Sequence, residues 1–223
     1  MAPTLVLSFD VYGTLMDVRG GSRAAFTRIL ADAGAGHLDP LYVWDRWEAE
    51  NIRRYWRPYR PYKEICRESL AETFRHFGVR GDPALIRHYF DAYPGFTRFA
   101  DVDRVLDRLA RDQRLALVSN IDDDLLAVTR LDRAFDLVCT AERARGYKPD
   151  GTLFRYLLSE AKVDAGALLH AGQSQRTDMV GAKPLGITVA WINRRGLALA
   201  PDVPRPDHEF GDLTPLLTLV GSR

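Results

Sequence analysis

The sequence predicts an α/β fold, a doubly wound parallel sheet carrying an inserted all-helical segment. Three observations predict it. Short apolar runs recur and end in polar residues; helical patterns separate most of them; and one long stretch after the first run has helical spacing and no strand-like run.

Leu5-Val6-Leu7-Ser8-Phe9 is nearly continuous in apolar residues and is closed by a turn at Gly13, the pattern of a strand buried on both faces. Residues 22–33, 40–56, 61–77 and 83–92 then read as helices, punctuated by Gly34-Ala35-Gly36, Arg57-Pro58, Gly78 and Pro94-Gly95. A helix over 102–111 precedes a second strand, Leu115-Ala116-Leu117-Val118-Ser119. Helices over 122–131 and 151–161 flank the loop that holds Lys148 and lead to Leu168-Leu169-His170-Ala171-Gly172, a further strand. A helix over 178–185 and a last apolar run over 186–192 follow, and the proline-bearing segment 200–206 reads as a surface loop. A chain of 223 residues has room for one core plus an elaboration. The expected division is 1–17 with 95–223 as the core, and 18–94 as a helical cap.

The 31 basic residues almost cancel the 30 acidic ones, so the net field gives no reason to expect nucleic acid or an anionic membrane as partner. Arginines beside the aromatics of 44–62 do not change that expectation. Cys66 and Cys139 have neither disulfide-scaffold density nor metal-ligand spacing and read as buried thiols. Met1-Ala2-Pro3-Thr4 carries no basic n-region, and the run ending at Asp10 is too short for a signal peptide or a membrane span. A cytoplasmic protein acting on a small molecule is expected.

In an open parallel sheet, ligands sit beyond the carboxyl ends of the strands, so the polar residues closing each run should converge. They are Asp10, Tyr12 and Thr14 after the first run and Ser119 and Asn120 after the second. Lys148 lies in the loop after Cys139-Thr140, and Gln173, Ser174, Gln175 and Asp178 follow the strand over 168–172. A carboxylate can attack an electrophilic carbon or phosphorus and be regenerated when water opens the product. Lys148 and the backbone amides of the turn after Asp10 would keep that carboxylate ionised, with Asp178 orienting Lys148 or the water. Thr14, Ser119, Asn120 and Ser174 supply small hydrogen-bonding groups for substrate. His170, inside an apolar run, reads as a hydrogen-bonded interior histidine, and Asp122-Asp123-Asp124 as the negative first turn of a helix.

Phe9-Asp10-Val11-Tyr12-Gly13-Thr14-Leu15, Val118-Ser119-Asn120, Tyr147-Lys148-Pro149-Asp150, and Gly172-Gln173-Ser174 through Asp178, in this order, resemble the four motifs of the haloacid dehalogenase superfamily. The resemblance spans nearly the whole chain. It implies a Rossmann-like core, a helical cap inserted after the first motif, and Asp10 as nucleophile, with Lys148 and Asp178 as the other catalytic residues. Within the superfamily the chain is similar to the type II (S)-2-haloacid dehalogenases, because Tyr12 stands where phosphatases place a second aspartate. Halide is a weak base and needs no such acid to leave. Gln173 stands where magnesium-binding members have an acidic ligand, and a neutral amide weakens a hard-cation site. The resemblance therefore implies no cofactor, and homodimers are common in that branch.

Three positions depart from that pattern. Those dehalogenases bind halide with a cap arginine next to a tryptophan, and if Trp47 matches that tryptophan the next residue here is Glu48, leaving Arg46, Arg53, Arg54 or Arg57 as candidate replacements. Phe154 stands for a tyrosine, and Gln173-Ser174-Gln175 for the Ser-x-Asn of the last motif. The leading expectation is a metal-independent, dehalogenase-like hydrolase working through an aspartyl ester on a small carboxylic acid. The alternatives are a magnesium-dependent phosphatase-like hydrolase, since Thr14, Ser119 and Lys148 would also cradle a phosphoryl group, and a non-catalytic binding protein.

Overall fold

A computed structural model of the chain describes residues 5–221; the reading of Met1 to Thr4 lies outside them. The strands are β1 (Val6–Phe9), β2 (Arg114–Ser119), β3 (Leu137–Thr140), β4 (Leu168–Gly172), β5 (Thr188–Ile192) and β6 (His208–Phe210). They form one sheet in the order β3-β2-β1-β4-β5-β6, every pairing parallel. The order reverses at β1, so crossovers run outward from it on both sides and leave a crevice at the carboxyl ends of β1, β2 and β4.

Strand periodicity sorts side chains between two apolar layers. Leu7, Phe9, Leu115 and Leu117 join one cluster, and Val6, Ala116 and Val118 join the other. This two-sided burial is why the strand runs are continuously apolar rather than alternating.

Between β1 and β2 the described chain is helical: α1 (Val18–Asp32), α2 (Pro40–Arg54), α3 (Tyr62–Phe77), the short α4 (Arg87–Phe90) and α5 (Val102–Leu109). The Asp17 carboxylate accepts from Gly20 N and starts α1 four residues before the expected Ser22, while Asp39 accepts from Tyr42 N with Pro40 behind it. The helix expected over 83–92 is broken. Asp82 caps a 3-10 turn, Pro83–Ile86, which passes into α4 and then a second 3-10 turn, Tyr93–Gly95.

Beyond β2 lie α6 (Asp123–Val128), α7 (Ala141–Ala144), α8 (Thr152–Ala161), α9 (Val180–Ala182) and α10 (Leu216–Gly221). The helix expected over 178–185 is a composite of a π turn over Gln175–Met179, α9, and a 3-10 turn over Lys183–Leu185. Of the three acids 122–124, Asp123 and Asp124 do sit in the first turn of α6. Asp122 instead reaches the helical segment, accepting from Tyr62 N at 2.8 Å and Lys63 N at 3.1 Å, and so caps α3 from outside. Among the described residues no helix is long and apolar enough to cross a membrane, and both cysteines are free and buried.

Candidate active site

Asp10 follows β1 directly, its N–H donating to Ala171 O of the neighbouring strand at 3.0 Å. The turn after it closes on itself, with the amides of Leu15 and Met16 donating to Val11 O and that of Gly13 to Met16 O. Those amides are thereby spent on the turn, and the Asp10 carboxylate is held by side chains instead. Lys148 Nζ donates to Oδ1 at 2.5 Å and the Thr14 hydroxyl to Oδ2 at 2.7 Å. Gly13 has φ +90°, and a Cβ there would lie 2.9 Å from the Gln173 side chain, so both backbone angle and space require glycine. Gln173 N in turn donates to Thr14 Oγ1 at 2.9 Å, joining the first turn to the end of β4.

Lys148 is 1 % exposed and bridges two carboxylates, its Nζ lying 2.8 Å from Asp178 Oδ1 as well. Its backbone is fixed by Asn120, whose Oδ1 accepts from Lys148 N at 2.9 Å, and by the close approach of Gly181, where a Cβ would come within 1.9 Å of Lys148 O. Asp178 also contacts His170 Nε2 through Oδ1 at 3.1 Å and accepts from Ser174 N through Oδ2 at 2.8 Å. His170 Nδ1 lies 2.9 Å from Ser8 Oγ, the residue that parallel pairing sets beside it. The π turn over Gln175–Met179 lets Ser174 O receive both Asp178 N and Met179 N, aiming Asp178 back under β4.

These contacts set the charges. Burial and then Asp178 push the Asp10 carboxyl up, against the pull of Lys148 and Thr14. Burial opposes charge on Asp178 too, but Lys148 and His170 outweigh it and hold that carboxyl well below its usual range. Burial likewise opposes the Lys148 ammonium, and the two carboxylates overcome it and push its pKa up.

Above this floor opens a cleft with about 80 Å³ of free space. Of the site residues expected from sequence, Asp10, Tyr12, Ser119, Asn120, Lys148 and Ser174 line it, whereas Thr14 and Asp178 lie beneath, bonded to Asp10 and Lys148. The Tyr12 ring packs edge-on against Tyr93, and its hydroxyl, 2.7 Å from Thr129 Oγ1, is turned to a structural partner. The candidate replacement arginines do not reach the cleft. Arg46, Arg53 and Arg54 converge on the buried Glu50, and Arg57 is exposed. Glu48 does line the cleft, with Trp44, Trp47 and Asn51 of α2. Phe154 packs edge-on against the His170 ring, below the site.

Two contributors were not read as site residues in the sequence. His170 was read as interior, which it is, but its place between Ser8 and Asp178 makes it part of the support for Lys148. Arg194 donates twice to Thr14 O and pairs with Asp101, pinning the first turn from the loop after β5.

Asp10 and Asp178 with the neutral amide of Gln173 are a weak ligand set for a hard cation. The Lys148 ammonium lies between the two carboxylates, every Asp178 oxygen is bonded, and among the described residues no group of three or more His, Cys, Asp or Glu is placed to hold an ion.

A family model for haloacid dehalogenase-like hydrolases matches residues 7–192, from the first strand to the last residue of β5. The chain belongs to that family. It is a hydrolase, and it resembles the type II dehalogenases. An (S)-2-haloacid dehalogenase of Pseudomonas sp. (strain YL) is 27 % identical over 222 residues, covering 96 % of this chain and 93 % of that protein. Haloacid dehalogenase-like hydrolase domain-containing protein 3 of Danio rerio is 28 % identical, covering 96 % and 95 %. The structure of L-2-haloacid dehalogenase from Xanthobacter autotrophicus superposes with a TM-score of 0.81 at 25 % identity over 98 % of both chains. The four segments that meet around Asp10 all lie within the matched residues.

Proposed function

We propose that this hydrolase works at an sp3 carbon of a small carboxylic acid, as a metal-independent enzyme of the 2-haloacid dehalogenase type. Asp10 attacks the carbon bearing the halogen, the C–halogen bond breaks with its electron pair leaving as halide, and an ester joins the carbon to Asp10. Water then adds to the Asp10 carbonyl carbon and the bond from that carbon to the ester oxygen breaks, one water proton passing to the departing oxygen and the other to solvent. The product leaves as a hydroxy acid and the water oxygen stays in the carboxylate.

The observation that carries the proposal is the unequal treatment of two carboxylates bonded to one lysine. Asp178 is fully buried and satisfied on both oxygens, whereas Asp10 faces the cleft with its pKa pushed up by burial. The more basic carboxylate is the better nucleophile, and Lys148 keeps it ionised. Asp178, steadied by His170 and Ser174, holds Lys148 in place. Ser119 and Asn120 take the substrate carboxylate on the floor, and residues 18–94 act as the cap that excludes water. Tyr12, its phenol pushed far up by burial and bonded to Thr129, is a poor acid and serves as a wall, as halide departure permits.

Turnover of a mixed 2-haloacid pool in oxygen-18 water, followed by mass spectrometry of the Asp10 peptide, tests this directly. Label in Asp10 is expected, and turnover unchanged by EDTA. Turnover without label would mean that water attacks the substrate itself.

A further inference from the structure

The cap side of the cleft differs in chemistry from the floor. Glu48 lines it, yet among the described residues its carboxylate makes no hydrogen bond or ion pair. Asn51, 1 % exposed and on the same wall one helical turn away, leaves its Oδ1 without a hydrogen-bond partner. A buried, unpaired acceptor costs about 1–3 kcal/mol, and a turn of the Asn51 amide toward the cleft would let a ligand's donor remove that cost. Around these two acceptors stand Trp44, Trp47, Tyr55, Tyr89 and Tyr93, aromatic surfaces of the kind that attract cations.

The basic side chains nearby are committed or lie outside. Lys148 is held by two carboxylates, Arg19 pairs with Asp45 and Arg194 with Asp101. Arg195 is exposed on the rim of the adjoining cavity, whose wall includes Glu48 and Trp44. Trp44 Nε1 is an unpartnered donor on the same wall, but carries no charge.

We propose that this wall is a recognition site for an ammonium group, held by the Glu48 carboxylate and Asn51 Oδ1 within the aromatic surround. The inference rests on the Asp10 cleft being the substrate site, and it narrows the substrate to a small acid that also bears an amine, its carboxylate toward Ser119 and Asn120 and its ammonium toward Glu48. Burial, then the charges of Asp45 and Asp10, push the Glu48 carboxyl up to about 7, against Arg195 and Arg19. The tyrosine hydroxyls of Tyr55 and Tyr89 are the other titratable groups that feel it, and both stay protonated because burial raises them. An ammonium seated beside Glu48 favours its ionised form, so ammonium binding strengthens as pH rises through that value.

Three probes of one size, 1-aminopropane, 1-propanol and propionate, separate charge from shape, and none carries an electrophile, so the result is independent of whether Asp10 forms an ester. Titration followed by the indole N–H signals of Trp44 and Trp47 is expected to show 1-aminopropane binding at least about tenfold tighter than 1-propanol, a gain of about 1.4 kcal/mol. In Glu48→Gln that preference is lost while propionate binds more tightly, a crossed response that loosened structure would not give. Equal affinity of the amine and the alcohol for the wild-type protein, or a parallel change of amine and propionate in Glu48→Gln, would overturn the proposal; the wild-type series needs no variant to fold.

Discussion

The floor and the roof of the cleft are built on opposite terms. On the floor, Asp10, Thr14, Lys148, Asp178, His170 and Ser8 form a continuous chain of hydrogen bonds from the cleft into the sheet, each member partnered. On the roof, Asn51 Oδ1 and Trp44 Nε1 have no partner, and aromatic rings touch chiefly one another. A satisfied polar network specifies one geometry, as a fixed chemical step needs; unsatisfied groups on an aromatic wall leave complementarity to be completed by a ligand. One hydrolytic chemistry can therefore persist while the roof changes what it acts on.

The sharpest test of the floor is Asp10→Asn. Turnover should fall by on the order of 10⁴ or more, because the nucleophile is lost. The raised Asp10 pKa means the folded chain holds that proton more tightly than the unfolded one, so ionised Asp10 costs stability above the ordinary carboxylate value of 3.8. The variant is therefore expected to keep or raise Tm while losing activity. In the wild type, kcat/KM should fall with acid along a limb displaced upward from 3.8. A limb at or below that value would remove the contrast with Asp178.

Asp178→Asn should show the reverse balance. Asp178 has its pKa depressed, so its contribution to stability is present above the unfolded value of 3.8 and is lost as pH falls through the lower folded value. Removing its charge leaves the buried Lys148 ammonium with Asp10 as its remaining carboxylate and puts an NH2 donor in place of one of two oxygens that both accept, and should cost about 3–5 kcal/mol near neutral pH. Urea unfolding at neutral and at acid pH checks this: the gap between variant and wild type should narrow in acid.

The same division explains what the sequence disclosed. Strands β1, β2, β4 and β5 are apolar through both faces and stand out in the chain, and with them the polar residues at their ends. Strand β3, Leu137-Val138-Cys139-Thr140, is a three-residue apolar run with only two of its four residues buried, too short to stand out, and β6 reads His-Glu-Phe at the sheet edge. Asp10 and Asp178 stand out because they follow the legible strands β1 and β4, and Lys148, which lies beyond β3 and α7, because of the segment Tyr147-Lys148-Pro149-Asp150. The support from His170 and Ser8 depends on strand register, which pairs residues 162 positions apart. Arg194 on Thr14 O and Asp122 on α3 are likewise tertiary contacts without local spacing. The cap arginines could not be judged from sequence at all, because helical phase decided that Arg46, Arg53 and Arg54 meet Glu50 rather than substrate.

Asp122 is where floor and roof are joined, and Asp122→Ala should cost about 1–2 kcal/mol by uncapping α3. Hydrogen exchange should quicken at the Tyr62 and Lys63 amides before it does in β1. Asp122→Asn, which keeps an acceptor, should recover part of the loss. Equal acceleration throughout the sheet would show that the contact stabilises the whole fold instead of docking the helices.

Tyr12→Phe should have the smallest effect, and it tests the boundary between the two regions. Tyr12 belongs to the floor by sequence, yet its ring packs on Tyr93 of the roof and its hydroxyl meets Thr129 away from the reacting atoms. Loss of one partly buried hydrogen bond should cost about 0.5–1.5 kcal/mol of stability. Because burial pushes the phenol far up, it keeps its proton at neutral pH and is a poor acid, and kcat should stay within about threefold of wild type, under 1 kcal/mol in barrier. A fall of a hundredfold with unchanged Tm would place the hydroxyl in the chemical step and make Tyr12 part of the floor in function as well as in sequence.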